Sequence, residues 1–505
     1  MKLAVAARNL PAVARALEAA APNRAGTKGD RAKLVSTYFD TADHALAQQG
    51  LTIRVREHDG SFIQTVKSQT RPEVAAAARG EWEDVVFGAA PDPNAALTGP
   101  FLGAEIAGRL APLFRTEIDR RTIGLAPAPD TAIEAAIDRG RVCVPACDAS
   151  EPISEIELEL KRGSPAALYD VALDLLAVAP VRLERRSKAE RGFALAQPAP
   201  PSAAHSTAVD LAPTLSGSEA LRRLGVSCLD QILRNEAAVL AGIPEGIHQM
   251  RVAVRRLRAV LSAFGKMLPA DQRRRASAEL RWLADALGPA RNLDVFRESV
   301  LAPARAAIGE TSGIMALSAA AVRRRAAAYA RAKKAVRSTR YTASLLQLFR
   351  WFEGSGWRSS RTSRELGAPV GALAVAVLDR RRRVARRCSK GFAKQSAAER
   401  HRLRIALKKE RYVIEALAGL YPENEVRRFA RRLKRLQDDL GEANDLRVAR
   451  DIVAELAQAA GDARSEIVGA GDEILAWHKQ RLAARERQLR QHLQGLLDAE
   501  PFWRP

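Results

Sequence analysis

The chain has 505 residues, 47% of them hydrophobic, which is enough for more than one domain with its own core. Its formal charge of +23 is unevenly placed: residues 1–200 carry 25 Lys and Arg against 26 Asp and Glu, and the remainder 56 against 32. That asymmetry points to a polyanionic partner for the second part. No apolar run reaches the length of a membrane span, and four cysteines make no disulfide framework, so reduced thiols in the cytoplasm are expected.

The opening "MKLAVAARNLPAVARAL" is broken by Arg8 and Arg15 and makes a poor secretory signal. Short alternating segments follow: "LVSTYFDT" (34–41), "LTIRVRE" (51–57), "SFIQTVK" (61–67), "EWEDVVF" (81–87), "FRTEIDRRTI" (114–123), "AIEAAID" (132–138) and "SEIELELK" (154–161). They read as antiparallel strands. Between the first two, "DTADHALAQQG" predicts a short helix with Asp40 or Thr41 as its cap and Gly50 as its stop. "CVPAC" (143–147) lacks a second ligand pair and gives no zinc site.

The charged positions alternate with the apolar ones. Glu155, Glu157, Glu159 and Lys161 share one face of their strand, and Ile156, Leu158 and Leu160 the other. Arg54 with Arg56, Lys67, Glu81 with Glu83, and Arg120 repeat the pattern. On a single strand this is a wetted outer face. Taken together the strands also suit a closed sheet whose charged face turns inward. Arginines and lysines there would clasp phosphate, and carboxylates would hold Mg²⁺ or Mn²⁺ for phosphoryl transfer.

"AQPAPPSAAHSTAVDLAPTLSG" (196–217) is rich in Pro, Ala and Ser and reads as a linker. Beyond it, "HQMRVAVRRLR" (248–258) places His248, Arg251, Arg255 and Arg258 in one narrow arc of a helix, with Arg256 beside them. Ile247, Met250, Val254, Leu257 and Leu261 take the opposite side. The same spacing returns 153 residues later in "HRLRIALKKER" (401–411), as His401, Arg404, Lys408, Lys409 and Arg411. "RWLADALGPARNLD" (281–294) and "KRLQDDLGEANDLR" (434–447) repeat at that offset, pairing Gly288 with Gly441. An internal duplication follows, and its doubled basic stripe is expected to form one extended anion site. Nucleic acid and an acidic protein surface are rival partners. Readers of single strands need aromatic platforms, and the stripes offer only Tyr412.

"STYFDT", "LTIRVRE", "TVK", "EWE", "AIDRG", "SEIELELKRG" and "RRSKAERGFAL", in that order, resemble the motifs of a CYTH domain, the triphosphate tunnel metalloenzyme family, over residues 1–195. "HQMRVAVRRLR", "LGPARNLD", "HRLRIALKKER" and "LGEANDL" resemble the two halves of a CHAD domain over 218–505, divided near 365. The resemblance implies an α+β multidomain chain. Its N-terminal part would be an antiparallel eight-stranded β tunnel with flanking helices, and its C-terminal part an all-α domain of two similar helical bundles. It implies a metal-dependent triphosphatase acting on inorganic triphosphate or polyphosphate, with a nucleotide cyclase or an RNA or thiamine triphosphatase as variants. By position, Lys2, Arg54, Arg56, Lys67, Arg120 and Lys188 would bind the triphosphate, and Glu157, Glu159 and Asp138 the metal. His248, Arg251, Arg255, Arg256, Arg258, His401, Arg404, Lys408, Lys409 and Arg411 would bind inorganic polyphosphate, at polyphosphate granules. Members of the family open on a Glu-x-Glu-x-Lys strand. Lys2 fits its lysine, whereas the two glutamates have no counterpart, which predicts either a shortened start or a tunnel that has lost half its metal site, and weak hydrolysis as the chain stands.

Overall fold

The computed structural model describes residues 1–21, 30–58, 60–68, 80–358 and 361–504. The chain divides into two compact units, Met1–Pro201 with Thr342–Gly354, and Ser202–Tyr341 with Ser355–Pro505.

The first unit is built on β1 (Lys2–Val5), β2 (Arg31–Asp40), β3 (Leu51–His58), β4 (Ser61–Ser68), β5 (Glu81–Val86), β6 (Ala111–Ala128), β7 (Thr131–Val144), β8 (Ala149–Arg162) and β9 (Val181–Leu183). All seven segments read as strands lie in this set. They form one antiparallel sheet in the order β5-β4-β3-β2-β6-β7-β8-β1-β9. The expected eight-stranded closed tunnel is therefore corrected: the sheet has nine strands, and among the described residues its end strands β5 and β9 do not pair with each other. The additional strand, β9, is three residues long and follows the helix Ala166–Val178, so no alternation could announce it.

Alternation decides which side of each strand is covered. Ile156 and Leu158 of β8 are buried with Leu3 and Val5 of β1 under Leu10, Val13 and Leu17 of the helix Leu10–Ala20. Each such side chain contributes about 1.5–3 kcal/mol on burial. The neighbouring residues of the same strands then project from the opposite face, where the charges collect. The helix between β2 and β3 is shorter than expected, Ala45–Gln48. Its N-cap residue is His44, not Asp40 or Thr41, yet both side chains still satisfy its first donors: the Asp40 carboxylate accepts hydrogen bonds from the backbone N–H groups of Leu46 (2.9 Å) and Ala47 (3.0 Å). Thr41 Oγ1 accepts one from Ala45 (2.8 Å), and Gly50 ends the turn at φ 72°.

The second unit shows the duplication directly. Helices Gly217–Arg234, Pro244–Ala263 and Ala270–Val295 each have a counterpart starting 153 residues later: Val370–Ser389, Ala397–Ala416 and Glu423–Gln458. Ser312–Arg337 corresponds to Arg464–Leu497, which starts 152 residues later. The Pro/Ala/Ser-rich stretch has no regular element between Gln197 and Ala212, although Val209 and Leu211 are buried.

Candidate functional site

On the charged face of the sheet, adjacent strands bring complementary charges into register. Arg120 of β6 stands opposite Asp138 of β7, and Asp138 opposite Glu155 of β8. Arg120 donates to both carboxylate oxygens of Asp138, at 2.7 and 2.6 Å, and to Glu157 at 2.6 Å. A fourth element completes the cluster. The helix Lys188–Ala196 begins with a capping box between Ser187 and Glu190, which fixes Lys188 at its first turn. The Lys188 ammonium donates to Asp138 (2.7 Å), Glu155 (2.6 Å) and Glu157 (3.0 Å). Arg191, one turn on, reaches Glu151 and Glu155. Lys2 lies 3.7 Å from Glu157.

The electrostatics follow from this crowding. Burial disfavours ionised Glu157, yet Lys188, Lys2 and Arg120 hold its pKa well below the usual carboxylate range. Burial likewise works against Lys188, and Glu157, Asp138 and Glu155 outweigh it, raising that pKa. Both groups stay charged across the physiological range.

Toward the β5 edge a second group faces the same way. Lys67 pairs with Glu81 at 2.6 Å, Arg54 lies 3.7 Å from Glu81 and 3.9 Å from Glu83, and Arg56 Nε donates to Ser36 Oγ at 3.3 Å. Burial and the neighbouring Arg54 lower the Arg56 pKa to about 10, with Arg120 adding to the effect. Arg120 is thus close enough to act on Arg56, which links the two groups across the face.

All six basic residues expected to hold triphosphate therefore lie on this face, in two clusters. Asp138 and Glu157 meet, but their third partner is Glu155: the three carboxylates offer oxygens within 4.8 Å of one another. Glu159 stands apart, two residues along β8, largely exposed and paired with Lys161 at 2.9 Å. Sequence reasoning placed Glu155 on the correct face and passed it over. Alternation identifies a face, not the carboxylate that lies beneath a lysine arriving from another element.

In the second unit the two basic helices, Pro244–Ala263 and Ala397–Ala416, pack against each other. Arg255 lies over the Tyr412 ring, 5.7 Å from its centroid. Arg251 extends across Gly288, where an added Cβ would stand 3.2 Å from its Nη1, and donates to the Ala284 carbonyl at 2.7 Å. Arg404 lies across Gly441 in the same manner. At Gly288 a side chain would crowd the arginine, whereas at Gly441 an added Cβ would stand 3.8 Å from Arg404 Nη2, in ordinary contact. Burial and mutual repulsion lower the pKa of Arg251 to about 10 and of Lys408 to about 7, the latter pressed by Arg404 and Arg255. His248 falls to about 4, through burial and then Arg291, so it is neutral at pH 7. Nε of Arg255, Nε of Arg404 and Nδ1 of His248 are buried with no hydrogen-bond partner among the described residues. Arg404 has a distant carboxylate, Asp445 at 3.8 Å.

The other stripe residues divide. His401 is half-buried one turn before Arg404. Arg258 and Lys409 belong to a different cluster with Arg381. Arg411 is engaged by Gln437 (2.8 Å) and Glu415 (3.0 Å). Arg256 turns into the bundle interior, 4% exposed, and donates to Gln231 at 3.2 Å; its assignment to the anion face is corrected, because one residue of helix rotates it about 100° into the core. Arg291 and Arg447 join the face from the neighbouring helices, where the sequence showed only an echo of the repeat. Arg256→Met is expected to leave anion binding within about twofold, whereas Arg255→Ala lowers it roughly tenfold. Titration calorimetry of the two variants measures the difference, and equal losses would return Arg256 to the binding face.

Comparison with known proteins agrees with these two architectures. The sequence profile of the CYTH domain matches residues 5–193, and that of the CHAD domain residues 225–454. An inorganic triphosphatase from Haemophilus influenzae is 32% identical over 163 residues, 32% of this chain and 46% of that protein. The chain thus spans about half the length of that curated relative. The crystal structure of the CHAD domain from the plant Ricinus communis is 30% identical, with a TM-score of 0.52, covering 59% of this chain and 98% of that one. No described helix is long and apolar enough to cross a membrane. With a CYTH sheet on one side of the Pro/Ala/Ser-rich stretch and a duplicated CHAD bundle on the other, the chain belongs to the CYTH and CHAD families, in that order.

Proposed function

We propose that the second unit binds inorganic polyphosphate and that the first hydrolyses inorganic triphosphate or a related phosphoanhydride with Mg²⁺ or Mn²⁺. The observation that carries the first half is the meeting of Arg251, Arg255, Arg404 and Lys408 on two packed helices with hardly a carboxylate among them. Repulsion of this kind is retained where an anion relieves it. Polyphosphate suits the site better than nucleic acid because bases need a platform. Tyr412, the one aromatic of the stripes, is 4% exposed and lies beneath Arg255 and Arg411.

The hydrolytic half rests on the charged face of the sheet. Arg54, Arg56 and Lys67 would clasp the phosphate chain from one side, and Lys2, Arg120 and Lys188 from the other. Asp138, Glu155 and Glu157 fit a hard divalent ion, since they supply the oxygen donors that such ions prefer. When bound, the ion would polarise the phosphoanhydride and activate water. Lys188 occupies the centre of that donor set, so it must turn toward the phosphates when the ion is held.

Two measurements test the reading. Phosphate release from inorganic triphosphate is expected with Mg²⁺ or Mn²⁺ and is expected to fall at least a hundredfold in Asp138→Asn or Arg56→Ala, the scale of losing a charge-stabilising group at a reacting phosphoryl. Release that is equal in these variants and the parent would remove the sheet from the reaction. In competition, long-chain polyphosphate is expected to displace bound RNA at far lower phosphate-equivalent concentration than the reverse. Equal competition would favour nucleic acid. Salt weakens both ligands through counterion release and decides nothing.

A further inference from the structure

The second basic cluster has its own setting. Helices Val370–Ser389 and Ala397–Ala416 flank a half-open pocket lined by Arg381, Val384, Cys388, Arg402, Ile405, Ala406 and Lys409. Helical spacing keeps it off the polyphosphate face: Arg402, Ile405 and Lys409 share one side of their helix, about 100° round from Lys408. Arg381 is held in place by a hydrogen bond from its Nη2 to Ser262 Oγ, 2.9 Å, and its Nε is buried without a hydrogen-bond partner among the described residues. Arg258 approaches from the first basic helix closely enough that, after burial, it and Arg381 lower the pKa of Lys409. Among the described residues, no carboxylate pairs with Arg258, Arg381 or Lys409. The acid near the rim is Glu399, 3.7 Å from the exposed Arg402. Between these cations the pocket is apolar, and Ile405 is 40% exposed there.

We propose that this pocket is a second anion site, which takes the phosphate group of a small phosphomonoester whose carbon part is apolar. Lys409 and Arg381 hold the phosphate oxygens with charge-assisted hydrogen bonds, and Arg258 adds its charge from the side. The carbon part covers Val384, Ile405 and Ala406, which accounts for an exposed isoleucine in a ring of cations. A bare phosphate leaves that surface wet, and a long polyphosphate chain has nothing to lay on it. The assignment stands independently of what the groove binds, because it uses different side chains.

Cys388 reports occupancy, since its side chain lines the pocket, while exposed Cys147 lies in the first unit and serves as an internal control. The experiment uses the full chain with phenyl phosphate as the probe. It follows iodoacetamide alkylation of each cysteine by mass spectrometry, with calorimetric titration alongside. Phenyl phosphate is expected to slow alkylation of Cys388 at least fivefold, to leave Cys147 unchanged, and to act at lower concentration than inorganic phosphate. Arg381→Ala with Lys409→Ala is expected to weaken its binding roughly tenfold or more, and Arg251→Ala with Arg404→Ala to leave it unchanged. Because Arg381 also braces Ser262, Ile405→Glu provides a second variant that alters only an exposed side chain and is expected to abolish protection. Three results would overturn the proposal: Cys388 unprotected at saturating phenyl phosphate, protection that survives in the pocket variants, or protection lost in the groove variant. Equal action of inorganic phosphate would overturn the apolar half of the assignment.

Discussion

Replacing Arg251, Arg255, Arg404 and Lys408 together by alanine is expected to weaken long-chain polyphosphate binding by at least about a thousandfold, with the N-terminal unit still folded. Each charge-assisted contact is worth about 1.5–3 kcal/mol, and about 1.4 kcal/mol is a decade in affinity. Four contacts exceed a thousandfold even when their effects overlap. The unliganded protein has little to lose, because these groups are held charged against burial first and their neighbours' repulsion second, both of which lower the pKa values of Arg251 and Lys408. The same repulsion makes binding pH-dependent. Lys408 titrates near 7 in the free protein, and a bound polyanion raises that value. Below pH 7 the lysine is already charged and affinity is flat. Above it, binding must take up a proton, so affinity falls by up to about tenfold per pH unit. Calorimetry between pH 6 and 9 checks both statements. Unchanged affinity in the fourfold variant would remove the polyphosphate assignment, and a flat pH profile would remove Lys408 from the contact.

Lys188→Met is expected to destabilise the N-terminal unit by about 3–5 kcal/mol at neutral pH, the scale of breaking a buried ion pair on one side. The substitution leaves Asp138 and Glu155, both fully buried, beside Glu157 without the ammonium that touches all three. In the parent, Glu157 titrates below its unfolded value, so the stability it lends is present above the unfolded carboxylate range and is lost as pH falls through the folded pKa. Without Lys188 that folded pKa climbs and less of this stability remains at pH 7, so the gap between variant and parent narrows on acidification. Mn²⁺ is expected to narrow it too, by taking the ammonium's place among the carboxylates. Thermal melts across pH, with and without Mn²⁺, give the readout. A variant as stable as the parent at pH 7, or indifferent to Mn²⁺, would show that the carboxylates need no cation there.

The strands of the first unit were legible because covered and charged residues alternate along most of their length, although β2, β4 and β7 each carry a run of three or four consecutive buried residues. The duplication was legible because the 153-residue offset preserves glycines as well as charges. What escaped depends on elements that meet from far apart in the chain. Glu155 became part of the acidic cluster only when the capping box aimed Lys188 across 33 residues of sequence. Arg256 and Lys409 occupy equivalent positions of the repeat, yet one is buried beside Gln231 and the other exposed beside Arg381. The residue that faces Lys409 is Arg381, whose counterpart 153 residues earlier is Cys228, a buried thiol. No pattern within one helix carries that difference.

The two anion-facing surfaces also differ in how their cations are held, and the consequence is kinetic. On the sheet, Lys67, Arg54, Arg120 and Lys188 are already paired with carboxylates. A phosphate chain arriving there must open ion pairs first, so its capture rate is set by side-chain rearrangement and responds weakly to ionic strength. On the helices, Arg251 rests on a glycine and a backbone carbonyl with Asp285 acting on it from a distance, and among the described residues the carboxylate contact of this group is Arg404 to Asp445, at 3.8 Å. Nothing there has to let go. Capture on that surface is limited by diffusion in the protein's own positive field, approaching ~10⁸ M⁻¹s⁻¹ at low salt and falling steeply as counterions screen it. On the function proposed above, a chain that fills slowly on the sheet and quickly on the helices collects polyanion well before it cuts any.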